Sequence, residues 1–166
     1  YSLIEPKVTF LARKSGERAQ FITEQRGRGV YLFTETIGET AVQTDVRPGK
    51  FVDLHATAAG KAILAHLSKE RVNEIVSRHG LASCTPQTVT NRTDLHEELS
   101  TVREQGYSTN DEERISQQRA VGVPVLNIVG EPIGAFSISG PAHRIEHEDV
   151  QDRIAALLLG TADEVE

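Results

Sequence analysis

Residues Val121-Gly122-Val123-Pro124-Val125 and, after a turn at Val129-Gly130-Glu131-Pro132, residues Ile133-Gly134-Ala135-Phe136-Ser137-Ile138-Ser139 decide the architecture. Large side chains alternate with small ones in both runs, the period-2 signature of strands whose two faces meet different surroundings. A link this short joins antiparallel strands, so the pair predicts a hairpin in a largely antiparallel sheet. Phe136 and Ile138 share one face and belong in a core, while Ala135, Ser137 and Ser139 share the other. Two hydroxyls ~7 Å apart on a face of small residues allow two readings. One is a solvent-facing strand. The other is the floor of a small polar pocket, because small side chains leave volume and hydroxyls donate or accept. Pro124 has no N–H for a ladder bond, which predicts an edge or a bulge at that position.

Upstream, helices and strands alternate. Ile4, Val8 and Leu11 form a stripe at i, i+4, i+7 of a helix with Pro6 in its first turn and Gly16 at its end. Residues 19–25 and 30–36 flank Gly27-Arg28-Gly29, a hairpin pattern with glycines supplying φ > 0. The alternation of Val42, Thr44 and Val46 predicts a third strand over residues 41–46. After Pro48-Gly49 come a short extended piece at residues 51–54 and a helix carrying Ala59, Ala62, Ile63, Leu64 and Leu67. Ser68 caps a further helix that Gly80 ends. Residues 81–91 form a loop. Leu95, Leu99 and Val102 mark a helix favoured at its start by Asp94 and closed by Gly106, and Val150, Ile154, Leu157 and Leu158 mark a last one after Pro141.

The chain has 166 residues, 38% apolar and 25% charged, which suits one α+β domain. No apolar run nears the ~20 residues that span a bilayer, so no membrane association is expected. Acidic side chains outnumber basic ones 24 to 18 for a net charge of −6, and a negative surface repels phosphate. This segment alone is therefore a poor nucleic-acid binder. Cys84 is the single cysteine and forms no intrachain disulfide. With no charged-then-apolar leader before the domain, the expected compartment is the cytoplasm. A start without Met marks the segment as part of something longer.

Most chemical motifs fail. Gly60-Lys61 resembles the end of a phosphate loop, but His55 stands where that motif needs glycine and Ala62 where it needs Ser or Thr. His143 and His147 have a helical zinc spacing, yet they straddle a loop-to-helix junction and read as surface histidines; no metal or cofactor is expected. Cys84 has no activating signature and reads as an inert, buried thiol. No nucleophile sits beside a base. What remains is His55-Ala56-Thr57-Ala58-Ala59-Gly60-Lys61, a helix start with little side-chain obstruction, whose N–H groups favour an anion, although Thr57 also suits a simple cap.

Taken together, three segments carry a family resemblance. They are Leu54-His55-Ala56-Thr57-Ala58-Ala59-Gly60-Lys61-Ala62-Ile63-Leu64-Ala65, then Gly106-Tyr107-Ser108 running into Asp111-Glu112-Glu113, and the hairpin quoted first, extended through Gly140-Pro141. In order and spacing the chain resembles the effector-binding domain of IclR-type transcriptional regulators. The resemblance implies a GAF/profilin-like fold, a curved, mainly antiparallel sheet of about six strands flanked by helices, with a pocket on the concave side. It implies a small organic acid or aromatic metabolite as effector and a homodimer or homotetramer as the assembly. DNA would be bound only through an N-terminal winged helix-turn-helix absent from residues 1–166. Carried over by position, the backbone N–H groups of Ala58 and Ala59 would hold the effector carboxylate, and Ser137 and Ser139 would face it. Asn110 stands where a family member has an acid, Ala120 where one has cysteine, Asp111 is a substitute for the missing acid, and Thr44 is a further lining residue.

The expected function is a ligand sensor without catalysis. The alternatives are an oligomerisation module with a vestigial pocket, suggested by Asn110 and Ala120, and a small enzyme using Asp111, Glu112 or His55.

Overall fold

A computed structural model describes residues 2–36 and 47–166. The third strand expected at residues 41–46, with Thr44, lies outside the described residues. Helix α1 (Ile4–Ser15) buries Ile4, Val8 and Leu11 and ends at Gly16 in the left-handed conformation. The next elements are β1 (Arg18–Gln25), β2 (Arg28–Glu35), β3 (Phe51–Val52), a 3-10 turn (Leu54–Ala56) and α2 (Ala58–Leu64). They are followed by α3 (Lys69–His79), α4 (Arg92–Gln105), β4 (Ser108–Asp111), β5 (Gln118–Leu126), β6 (Pro132–Pro141), α5 (Ala142–Ile145) and α6 (Glu148–Val165).

Among the described residues six strands form one antiparallel sheet in the order β3-β2-β1-β6-β5-β4. Phe21, Val121, Val123, Phe136 and Ile138 pack against α1 and α6 on one face. Ile22, Tyr31 and Ala135 join α2, α3 and α4 on the other. Both faces are therefore covered, and the solvent-facing reading of Ser137 and Ser139 is wrong: they are 1% and 5% exposed.

Local differences from the sequence expectations have physical causes. The β1–β2 turn is made by Arg26 and Gly27, both at positive φ, and not by Gly27 with Gly29. Gly29 lies in the strand instead, where an added Cβ would come within 2.9 Å of Val52. Helix α2 stops at Leu64, short of Leu67. Ser68 caps α3 by accepting from the Arg71 N–H, whereas α4 is capped by Asn91, which accepts from the Asp94 N–H. Pro124 lies in a strand flanked on both sides, yet β4 pairs only as far as Gly122, so Pro124 meets no neighbour there. Cys84 is exposed and not buried as expected; partial desolvation of its thiol, followed by the charge of Asp53, raises its pKa and disfavours the reactive thiolate.

Candidate functional site

Two rows of residues run across four strands beneath α2. Ser108, Gly122, Ser137 and Gln20 are register partners, and so are Asn110, Ala120, Ser139 and Arg18. Small residues in β5 let α2 rest on the sheet: a Cβ on Gly122 would lie 2.6 Å from the carbonyl carbon of Ala58. The Ser108 hydroxyl donates to the Ala58 carbonyl and fixes the first residue of the helix. Thr57 is its cap, accepting from the Gly60 N–H at 3.0 Å. The first N–H to donate to a carbonyl of this helix is that of Lys61, to Thr57 at 2.9 Å, so the N–H groups of Ala58 and Ala59 have no acceptor within the helix.

An inner cavity of about 30 Å³ lies between this helix start and the strands. Gln20, Thr57, Ala58, Asn110, Ser137 and Ser139 line it, and Arg18, Arg114 and Arg119 lie in its wall. An outer cavity of about 190 Å³ adjoins it and shares Arg18, Ile115, Gln118 and Ser139 with it. A cavity of this kind needs roughly 10–15 Å³ to hold one water, so the inner space takes only a few solvent-sized atoms. Ile115, in the turn at residues 112–117, lines both spaces.

Hydrogen bonding assigns the hydroxyls a role. Gln20 Nε2 donates to Ser137 Oγ at 2.7 Å, and Arg18 donates to Ser139 Oγ at 3.0 Å. Each serine oxygen is thus an acceptor toward the protein, which leaves its own proton to donate to a ligand oxygen. Gln20 Oε1 is buried without a hydrogen-bond partner, an acceptor that a ligand hydroxyl would satisfy.

The sequence-derived candidates divide. Ala58, Asn110, Ala120, Ser137 and Ser139 line the inner cavity; Ala59 adjoins it and turns its side chain into the core. The Asn110 amide is already committed, donating to the Ala56 carbonyl at 2.6 Å and accepting from the Glu113 N–H at 2.8 Å, so it holds the wall together. Asp111 does not substitute for a missing acid in the cavity. It pairs with Arg119 at 2.8 Å on the surface.

Sequence reasoning missed Gln20, whose partner Ser137 is 117 residues away. It also missed Arg18, Arg114 and Arg119; the only hint was an excess of arginine over lysine, 13 to 5. The three groups considered for catalysis lie apart from the cavity. His55 Nε2 bonds the Ala82 carbonyl at 2.8 Å, Glu112 accepts from the Gln117 N–H at 2.7 Å, and Asp111 holds Arg119. No group of three potential metal-ligating side chains occurs among the described residues, nor does any of their helices have the length and apolarity to cross a membrane.

Beneath α2, Lys61 is fully buried. Its ammonium donates to Glu98 and to both oxygens of Glu113, at 2.9 and 2.8 Å. Burial raises the Glu113 pKa more than the Lys61 charge lowers it. The ion pair ties α2 to the turn at residues 112–117, which forms the boundary of the cavity.

The family model for the bacterial transcriptional regulator IclR C-terminal domain matches residues 1–166. A probable HTH-type transcriptional regulator ArcR of Halobacterium salinarum is 34% identical over all of this chain, which spans 64% of that relative's length. The crystal structure of the Thermotoga maritima IclR superposes with a TM-score of 0.92 at 30% identity, covering 99% of this chain and 66% of that one. The inducer-binding domain of the Acinetobacter transcription factor PobR, solved as a double mutant with 3-hydroxybenzoic acid, shares the fold at a TM-score of 0.89 and 24% identity, covering 99% of this chain and 95% of that one. With the whole of its length matched by that family model and its sheet, helices and cavity built as described, the chain belongs to the IclR family of transcriptional regulators and corresponds to their C-terminal domain.

Proposed function

We propose that the cavity under α2 binds a small organic acid or aromatic metabolite and that its occupancy governs DNA binding by a winged helix-turn-helix domain preceding α1 in the full-length protein. The observation that carries this reading is the lining itself. Two serine hydroxyls with protons to give, Ala58 at a helix start and the side chains of Arg18, Arg114 and Arg119 line one space, with Arg119 also paired to Asp111. Such a set suits ligand oxygens bearing negative charge. The complex of PobR with 3-hydroxybenzoic acid supports the reading by analogy, and a phenolic hydroxyl suits Gln20 Oε1.

Ligand binding can act on the distant domain only by favouring one arrangement of subunits over another. A cytoplasmic homodimer or homotetramer is part of this reading, with Leu3 and Phe10 near α1 and Ile128 and Val129 at the β5–β6 turn as the exposed apolar surfaces available for it. The reading assigns the chain no catalytic activity, since His55, Asp111 and Glu112 are engaged elsewhere.

A ligand at 100 times its Kd stabilises a fold by about 2.7 kcal/mol. In a domain of this length the expected rise in Tm is roughly 5–11 °C. A panel of carboxylates and phenolic acids, followed by differential scanning fluorimetry, checks this. Ser137→Ala combined with Ser139→Ala should abolish the shift and leave a cooperative transition. A panel in which no acid moves Tm by ~1 °C would remove the sensor reading.

A further inference from the structure

We propose that the turn at residues 112–117 is a gate over the inner cavity and that the buried ion pair between Lys61 and Glu113 is the latch that holds it shut. This rests on the sensor reading above and goes beyond it by naming the element that admits the effector and the contact that resists. The first observation is a mismatch of size. The inner space of about 30 Å³ takes only a few solvent-sized atoms, and a carboxylate with the carbon that bears it does not fit. An acid therefore enters only if a wall moves.

The second observation is which wall can move. The floor is sheet, with β1, β4, β5 and β6 bonded to one another along the rows that face the cavity. The start of α2 lies against Gly122, and Ser108 and Asn110 donate to the Ala58 and Ala56 carbonyls. What remains is the turn, which contributes Arg114 and Ile115. Its ends, Glu112 and Gln117, both lie in the left-handed region, at φ 58° and 66°, and neither is a glycine. Side chains adopt that region at a cost, and residues held there by their surroundings cluster at switches. Both ends are anchored. The Thr85 and Thr88 hydroxyls donate to the Glu112 and Glu113 carbonyls, and the Ala142 N–H donates to the Gln117 carbonyl at 2.7 Å. The Glu112 carboxylate accepts from the Gln117 N–H at 2.7 Å, which closes the turn on itself and lets it swing as one piece.

The third observation is what resists the swing. Glu113 follows the first hinge, and fully buried Lys61 on α2 donates to both its carboxylate oxygens at 2.9 and 2.8 Å. Moving the turn outward separates two opposite charges in a buried place, where separation costs most. Glu98, whose side chain is 28% exposed, keeps its bond from Lys61 when Glu113 leaves, so opening leaves the lysine a partner.

The latch variant is Lys61→Met with Glu113→Gln, which removes both charges of the pair and keeps an oxygen for the Asp111 N–H. Hydrogen exchange followed by NMR tests the gate without any ligand. The amides of Glu113, Gln117 and Gln118 should exchange about tenfold faster in the variant, while those of the paired strand residues Val123 and Phe136 stay as in the parent. Isothermal titration calorimetry tests what the gate admits, with 3-hydroxybenzoate and with the acid that raises Tm most in the fluorimetry panel as probes. A latch that keeps the competent state scarce lowers apparent affinity in proportion, so the variant should bind about threefold or more tightly than the parent. A pair that merely supports the fold gives the opposite sign. Should the double variant fail to fold, Glu113→Gln alone leaves Lys61 with Glu98 and should move both readouts in the same direction. Unchanged exchange in the turn, or faster exchange with affinity equal to or below the parent's, would overturn the gate and leave the sensor reading standing. Absence of binding by every acid, in parent and variant alike, would remove both.

Discussion

Replacing Lys61 by methionine is expected to lower the stability of the domain by about 3–5 kcal/mol, the usual cost of leaving one member of a buried ion pair without its partner. For a domain of this size that is a fall in Tm of roughly 6–20 °C. Methionine fits the channel that the lysine stem occupies, so the loss reports the charge and not a cavity. Glu113 is the group left behind, and its position explains why the effect is large. Its carboxylate receives two bonds from Lys61 and one from the Asp111 N–H at 3.1 Å. The deficit should also depend on pH. Burial already raises the Glu113 pKa, with the charge and hydrogen bonds of Lys61 opposing it. Folding therefore favours the protonated acid. Its contribution is fully present below the ordinary carboxylate value, ~4.3, and is lost as pH rises through the raised one. Removing Lys61 takes away the opposing causes and moves Glu113 further up. The gap between variant and parent should therefore be wider at pH 8 than at pH 5. Urea melts at both values measure it, and a gap independent of pH would show that Glu113 is not the strained group.

Gly122→Ala is expected to cost about 3 kcal/mol, near the top of the range for overpacking, because the obstruction is backbone. The added Cβ would sit 2.6 Å from the Ala58 carbonyl carbon and 2.8 Å from the Ala59 nitrogen, and neither atom has a rotamer to retreat into. The start of α2 must lift off β5, and the two amides move with it. Thermal melts should show a fall of roughly 6–12 °C. Effector affinity should fall as well, since the donors no longer converge on the serines. Gly160→Ala is the control. Gly160 lies in α6 with nothing within 4 Å of an added Cβ, so this change should stabilise by about 0.5–1 kcal/mol. Equal melting of Gly122→Ala and the parent would mean that α2 has room to spare.

The elements legible in the sequence were those with a strong period or a cap. The β5–β6 hairpin alternates over its full length, and Gly16, Gly80 and Gly106 each ended the helix expected of them. Strand β4 was not legible as one. Its four residues, Ser-Thr-Asn-Asp, carry no apolar alternation, and its place in the sheet comes from backbone pairing with β5. The serine face of β6 was visible because its small side chains break an apolar strand. The burial of Lys61 was not, since its partners lie 37 and 52 residues along the chain and only the packing of α2 against α4 and the turn after β4 brings them together. The contribution of Arg18, Arg114 and Ile115 to the cavity wall was equally hidden, because they come from a strand and a turn far apart in the chain.

The sensor function stands on where an acid binds. A larger groove of about 720 Å³ runs along α1, lined by Glu5, Thr9, Phe10 and Arg13 among others, and offers a competing location. Two-dimensional 1H–15N NMR of the domain, titrated with the tightest acid of the panel, distinguishes them. The amide signals of Ala58, Ala59, Ser137 and Ser139 are expected to move together with one Kd while those of Thr9 and Phe10 stay in place. Movement confined to α1, with Ala58 and Ala59 unchanged at saturation, would contradict this location.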